Sequence, residues 1–225
     1  MILAAGRGER MRPLTDSVPK AMLPVGGRPL IVHLIERLAR AGFVDLVINV
    51  SHLAEKIERG LGDGARFGVR ITYSRERTAL ETGGGIAYAL PQLGAAPFVV
   101  ANCDVYSDYD FGRLRSVAEP LARGALAAQL VLVDNPPQHP AGDFCLQEGR
   151  VMAAGAGARL TFSGIGAYTP ALFAEVTPGS SCRLATLLAR AMERGAVAGE
   201  HHRGRWMDIG TPERLAQLER ALSER

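Results

Sequence analysis

The stretch L-A-A-G-R-G-E-R-M-R-P-L-T, residues 3–15, decides how the rest of the chain is read. The apolar start, Met1 to Ala5, has the length and composition of a short buried strand. Gly6 and Gly8 follow directly, and glycines there let backbone amides approach a phosphate closely. Three frames for such a loop compete. A P-loop ends in Gly-Lys-Ser/Thr, which is absent. The dinucleotide fingerprint needs a third glycine where Met11 stands and a helix straight after the glycines. It also needs an acidic residue near the end of the second strand, where the chain reads Val50-Ser51-His52. What remains is a loop with Arg7, Arg10, Arg12 and Lys20 beside two glycines. Such a cluster of cations, past the C-terminal end of a first parallel strand, suits a polyphosphate. Charge spacing alone equally allows a solvated basic loop.

Outward from this segment the chain alternates strands and helices. Residues 6–29 carry Gly6, Gly8, Pro13, Pro19, Pro24, Gly26, Gly27 and Pro29, and read as one long loop. A loop of that length in a compact domain usually has a function. Pro29 suits the first turn of a helix. Leu30, Ile31, Leu34, Ile35 and Leu38 form its apolar stripe, Glu36, Arg37 and Arg40 lie off it, and Gly42 ends it. A strand (Val44–Val50), a helix (about 53–61), a Gly-Asp-Gly turn and a strand (Val69–Tyr73) follow. Next come a helix (about 83–90) opening on Gly83-Gly84-Gly85, a buried strand over Phe98–Ala101, a helix (about 110–122) and a strand (126–133). This alternation predicts an α/β fold with a mostly parallel mixed sheet and helices on both faces. Asn135-Pro136-Pro137 then breaks the pattern. Short strands near 143–147, 150–153 and 159–167 read as a small antiparallel extension. A helix near 182–194, strands near 197–207 and a helix from Pro212 to about Leu222 complete the chain. No repeat or low-complexity linker calls for a second domain.

Bulk properties exclude several classes. A chain of 225 residues with 47% hydrophobic and 22% charged residues is ordinary for a globular protein. The net charge of +3 is too balanced to argue for nucleic acid or an anionic membrane. Only Lys20 and Lys56 are lysines; the other basic residues are arginines. Gene composition is a sufficient cause of that bias, but a lysine kept in such a chain marks a place for a compact, mobile ammonium. Cys103, Cys145 and Cys182 are odd in number and lack zinc or redox spacing, which fits a reduced compartment. Met1–Ala5 is too short for a signal-peptide core or a membrane span, so a cytoplasmic location is expected. His33, His52, His139, His201 and His202 show no ligand spacing, and His201-His202 read as a solvated strand end. Ser163 has no nucleophile elbow around it.

Continued through P-K-A-M-L-P-V-G-G-R-P-L, residues 19–30, the opening segment resembles the signature of the sugar-1-phosphate nucleotidyltransferases. Both glycines, Arg10, the Pro19-Lys20 pair and the Pro-Val-x-Gly-x-Pro-Leu run all match. The resemblance implies a single Rossmann-like domain of the nucleotide-diphospho-sugar transferase type. Its nucleotide part would span about 1–133, its sugar part about 134–210 and its last helix about 211–223. By the same resemblance Leu3, Ala4, Ala5, Gly6, Gly8, Glu9, Arg10 and Lys20 hold a nucleoside triphosphate. Arg10, Lys20 and Asp104 are implied to be catalytic, with Lys20 touching the sugar phosphate and the α-phosphate.

The likeness continues in order. Leu80 to Gly85 lies where the family places a nucleotide-binding loop, implicating Glu76, Thr82, Gly83 and Gly84. Glycines opening a helix supply free amides and close approach to a base or ribose; a loosely packed helix start is the other reading. Asp104 stands just past the strand 98–101, where open α/β sheets place their sites. The family usually has glycine before it, and Cys103 is a small replacement. Trp206 to Pro212 resembles the closing motif, in which Asp208 joins Asp104 in holding Mg²⁺. That cation takes one or two carboxylates, with phosphate oxygens and water. Taken singly, either aspartate also reads as a cap or turn residue.

Asp134-Asn135-Pro136, Gly142-Asp143-Phe144, Thr161 to Gly164 and Gly199-Glu200-His201 are similar to a narrower group, the bacterial N-acetylmuramate α-1-phosphate uridylyltransferases. The Glu-Lys-Pro element of many relatives acting on other sugars is absent. This likeness implies UTP and a sugar 1-phosphate as substrates, sugar contacts from Asn102, Gly142, Asp143 and Ser163, and a place in peptidoglycan recycling. Asp143 otherwise reads as a turn residue. A guanylyl- or thymidylyltransferase, or a non-catalytic nucleotide-sugar sensor, stands as the alternative. A sensor would be expected to lack Lys20 or one aspartate. The match takes nearly the whole chain, so the left-handed β-helix domain that some relatives append is not expected. Relatives carry a few residues before the first strand, so that strand is expected to be short.

Overall fold

Apolar runs bounded by glycine and proline become strands and helices close to the predicted places. The computed structural model describes residues 1–223. The chain begins with β1 (Ile2–Leu3), then a hairpin of β2 (Pro24–Val25) and β3 (Arg28–Pro29). It continues with α1 (Leu30–Arg40), β4 (Asp45–Val50), α2 (Ala54–Leu61), β5 (Arg70–Arg75) and α3 (Glu81–Leu93). After β6 (Phe98–Asn102) and β7 (Val105–Ser107) come α4 (Ala118–Ala122), β8 (Ala128–Val133), β9 (Phe144–Gln147), β10 (Arg150–Met152) and β11 (Ala158–Tyr168). The last elements are α5 (Leu184–Glu193), β12 (Val197–His201), β13 (Trp206–Asp208) and α6 (Pro212–Ser223). Two compact units form: one from residues 1–79, 102–111 and 205 onward, the other from 80–101 and 112–204.

In the first unit β5, β4 and β1 pair in parallel, with Ile48 opposite Ile2 and Asn49 opposite Leu3. Leu46 to Val50 are all buried, the continuous pattern of a parallel strand. α1 buries the predicted stripe, Leu30, Ile31, Leu34, Ile35 and Leu38. Each such side chain contributes about 1.5–3 kcal/mol of transfer free energy. Gly42, at φ +82°, lets Phe43 donate its N–H to Leu38 (2.9 Å) and ends the helix. The segment 6–29, expected as an open loop, is organised. It contains 3-10 turns at Glu9–Met11 and Lys20–Met22 and the β2–β3 hairpin. Met11, the residue that breaks the dinucleotide fingerprint, is fully buried and anchors the first turn. Val25 and Leu30 pack with Ile209 and Leu218, which ties α6 to the hairpin. β7 pairs antiparallel with β13.

In the second unit the strand order is β6-β11-β8-β12-β10-β9. β12 runs parallel to β8, but β11 lies antiparallel between β6 and β8. The sheet is mixed, as expected, but the small antiparallel extension is corrected: its longest strand, β11, lies in the sheet interior. β11 is buried from Leu160 onward, apart from Phe162, because it runs on past β9 to pair with both β8 and β6. Hydropathy reports burial, not strand direction. The helix expected over 110–122 is split into a 3-10 turn (Phe111–Arg115) and α4. Pro120 lacks an N–H and its ring clashes with the carbonyl four residues back, so it is tolerated only in a first turn. Among the described residues no helix is long and apolar enough to cross a membrane.

Candidate active site

β1 ends where its backbone leaves the ladder, and a side chain takes over. Asn49 is buried; its Oδ1 accepts the Ala4 N–H (2.7 Å), and its Nδ2 donates to Glu76 Oε1 (2.6 Å). One amide thus joins the ends of three strands. Gly6 follows in the open, with nothing within 4 Å of where a side chain would begin. Gly8 has φ +64°, and its carbonyl accepts both the Met11 N–H (2.8 Å) and the hydroxyl of buried Thr15 (2.8 Å). A methyl group at Gly8 would lie 3.0 Å from Thr15 and 3.1 Å from Lys20 Cβ. Arg7, Glu9 and Arg10 of the same loop are exposed.

Lys20 is steered by the Pro19 entry to its 3-10 turn. Its Nζ lies 2.5 Å from Asp104 Oδ2, with side chains only 11% and 25% exposed. Asp104 sits in the turn between β6 and β7. That turn is fixed by Cys103 N–H to Leu3 O (3.1 Å) and by Ile209 N–H to Asp104 O (2.8 Å). Cys103 is buried, and burial first, then the Asp104 charge, push its thiol well above the usual cysteine range. It acts as a small filler in the place of the family's glycine.

Asp208 faces Val105 across the β7–β13 ribbon, one residue along from Asp104. Arg214 Nη1 lies 2.6 Å from Asp208 Oδ2. A methyl group at Gly210 would be 3.2 Å from both Arg10 Nη2 and Asp208 Oδ2. The first unit therefore gathers Gly8, Lys20, Asp104, Asp208 and Arg10 into one connected set. The donors that could hold a metal are two carboxylates, and no group of three or more His, Cys, Asp or Glu forms among the described residues. That set suits a hard cation completing its shell with phosphate oxygens and water, and does not suit a structural zinc.

The second unit holds the remaining predicted residues except Asn102, which belongs to the first. Thr82, Gly83 and Gly84 lie in the first turn of α3. A methyl group at Gly83 would meet Cys182 O at 2.9 Å and one at Gly84 would meet Ser180 O at 2.3 Å. Gly84 N–H already donates to Cys182 O (3.0 Å). The expectation of a free amide at Gly84, or of loose packing, is corrected: these glycines let the chain at 180–184 lie directly on α3. Asp143 uses both oxygens inside the chain, one with His139 Nε2 (3.0 Å) and one accepting the Phe162 N–H (2.8 Å). Gly142, at φ +62°, turns against Asn135, whose amide also bonds Thr161 Oγ1 and Arg159 O. Ser163 is buried in a bulge of β11, and its hydroxyl accepts the Ile165 N–H (3.1 Å). Asn102 is half-buried beside Asp104 in sequence. His201 Nε2 lies 2.9 Å from Asp134 Oδ1, so that strand end is held by a side-chain hydrogen bond as well as solvated.

Sequence reasoning missed Asn49, Thr15 and Arg214. Asn49 carried a signal, since an asparagine inside Val-Ile-Asn-Val is out of place in a strand unless it has partners. Thr15 and Arg214 carried none that spacing could read.

A glycine loop after a first strand, one shielded lysine, a carboxylate just before β7 and another at the end of its partner β13 are what an α/β enzyme handling nucleotide phosphates needs. The chain belongs to the nucleotidyl transferase family, whose profile matches residues 1–142. It is 48% identical to the N-acetylmuramate alpha-1-phosphate uridylyltransferase of Neisseria meningitidis serogroup B, over 97% of this chain and 96% of that one. Identity to the Caulobacter vibrioides protein of the same name is 36%, over 100% and 96% of the two chains. In fold it is similar to HddC from Yersinia pseudotuberculosis, solved in complex with GMP-PN. The TM-score is 0.79 at 22% identity, covering 98% of this chain and 97% of that one.

Proposed function

We propose that this enzyme transfers the uridylyl group of UTP to N-acetylmuramate 1-phosphate, giving UDP-N-acetylmuramate and pyrophosphate. The observation that carries this reading is the near full-length likeness to the meningococcal relative of that name. The joining of Lys20, Asp104 and Asp208 in one unit supports the chemistry.

A phosphate oxygen of the sugar 1-phosphate attacks the α-phosphorus in line. A new P–O bond forms there as the bond to the β-phosphate breaks, and pyrophosphate carries away the electron pair. The nucleophile is already an anion, so no general base is needed. The task is to bring two anions together and neutralise growing charge. Gly6, open on all sides, and Gly8 let the backbone approach the triphosphate. Arg10 and Lys20 supply positive charge, and Lys20 has the compact, mobile head suited to reach from Asp104 to a phosphate. Asp104 and Asp208 would hold Mg²⁺, which when bound neutralises phosphate charge. Leu3 to Ala5, Glu9, Glu76 and Thr82 to Gly84 would serve the nucleotide, and Asn102, Gly142, Asp143 and Ser163 the sugar. Because Asp143 and Ser163 are hydrogen-bonded within the chain, they would act chiefly by shaping the sugar side. The reaction belongs in the cytoplasm, in peptidoglycan recycling.

Pyrophosphate release over a panel of UTP, GTP and dTTP with several sugar 1-phosphates tests the reading. Release is expected with UTP and N-acetylmuramate 1-phosphate, to stop with a chelator, and to return with Mg²⁺. Release only with another pair moves the enzyme to a different substrate. No release with any pair favours a nucleotide-sugar sensor.

A further inference from the structure

Arg214 has no part in the reaction as described. It stands in the first turn of α6, its N–H directed at Thr211 Oγ1 (3.4 Å). Its guanidinium reaches back to Asp208 (2.6 Å), with the two side chains 15% and 27% exposed. Gly210 makes this approach possible. A methyl group there would lie 2.6 Å from Arg214 Nη2 and 3.2 Å from Arg10 Nη2 and Asp208 Oδ2. A side chain at 210 would force the guanidinium end to shift from where it meets the carboxylate. Asp104 is matched in the same way by Lys20.

Both carboxylates are therefore neutralised before any metal arrives, and Arg10 adds a third positive charge. With Glu213 also acting on Arg214, three negative and three positive groups leave the cluster formally neutral, and each aspartate already has a cation against it. Such a cluster offers a free divalent cation no net attraction, whereas a triphosphate can draw the cations off the carboxylates. We propose that Arg214 is a positioning residue that occupies Asp208 in the metal-free protein, so that the divalent cation enters together with the triphosphate and not before it. The proposal rests on the assignment of Asp104 and Asp208 as the cation's ligands.

Mn²⁺ is the probe, measured by electron paramagnetic resonance on the intact protein with and without UTP. Arg214→Gln removes the charge and keeps a hydrogen-bonding side chain; Arg214→Lys keeps the charge. Gly210→Ala displaces the guanidinium without altering it. Wild type is expected to bind Mn²⁺ weakly alone. Arg214→Gln and Gly210→Ala should bind it about tenfold more tightly or better, and Arg214→Lys should stay close to wild type. Turnover should fall about tenfold or more in Arg214→Gln, as when a ligand's hydrogen-bond partner is lost, and recover largely in Arg214→Lys. A merely structural role would lower metal affinity and turnover together. Mn²⁺ affinity of the free Arg214→Gln protein equal to or below wild type overturns the proposal. Thermal unfolding verifies that each variant is folded, and Gly210→Ala carries the test if Arg214→Gln is not. Asp208→Asn separates the two layers: if it does not lower Mn²⁺ bound to the protein–UTP complex, the ligand assignment itself falls.

Discussion

Replacing Lys20 by alanine removes one cation from two tasks, and the structure lets the costs be worked separately. In the resting protein Lys20 holds Asp104 at 2.5 Å, and both side chains are mostly shielded. Removing one partner of a fully buried pair costs about 3–5 kcal/mol, and an exposed pair is worth under about 1 kcal/mol. Asp104 keeps a quarter of its side chain in water, so a loss of about 1–2 kcal/mol is expected. For a chain of this size that lowers Tm by roughly 2–8 °C and leaves the protein folded at 25 °C. In the proposed reaction the same cation would meet growing phosphate charge, and losing it should cost about 3–4 kcal/mol of transition-state stabilisation, or roughly 10²–10³ in rate. Lys20→Arg keeps the charge but puts a planar fork in place of the compact ammonium that meets Asp104. It should regain stability without regaining rate. Pyrophosphate release at saturating substrates reads the chemistry, and urea unfolding reads the pair. Turnover within about threefold of wild type in folded Lys20→Ala would refute the reasoning, because no other cation contacts Asp104 among the described residues.

Three further outcomes are expected. Asn49→Leu leaves the buried Ala4 N–H and one Glu76 oxygen without the amide that joins them, and should destabilise by about 2–4 kcal/mol in urea unfolding. Adding Glu76→Gln should recover part of the loss, and no recovery would count against that link. Gly84→Ala should destabilise by about 1–3 kcal/mol because its methyl group strikes Ser180 O, whereas Gly6→Ala, in open space, should leave unfolding unchanged and raise the KM for UTP. Equal unfolding midpoints for the two would contradict the packing role of Gly84. Maleimide at pH 8 should modify the native protein at half-buried Cys182 and spare Cys103 and Cys145, which are buried. Rapid labelling of three thiols per chain would show that Cys103 is not shielded.

The apolar spacing of Leu30 to Leu38 was enough to find α1, because a helix repeats its buried face every three to four residues whatever it packs on. The loop after β1 and both aspartates were legible as residue types in a family order. Their partners were not. Nothing in spacing pairs Lys20 with Asp104, 84 positions away, or Asn49 with both Ala4 and Glu76. The glycines at 83 and 84 were read as positions where a base or ribose comes close; what lies against them in the structure is the chain at 180–184.

By itself the sequence determined which segments are buried, where the candidate phosphate loop lies, and which charged groups are close to it in sequence, since composition and local period act over a few residues. Only the tertiary structure decided that β11 runs antiparallel between β6 and β8, and that Thr15 and Lys20 close on Gly8. It alone paired each aspartate with its own cation. Strand direction and ion pairing depend on which distant segments meet, and contacts between them leave no periodic trace along the chain.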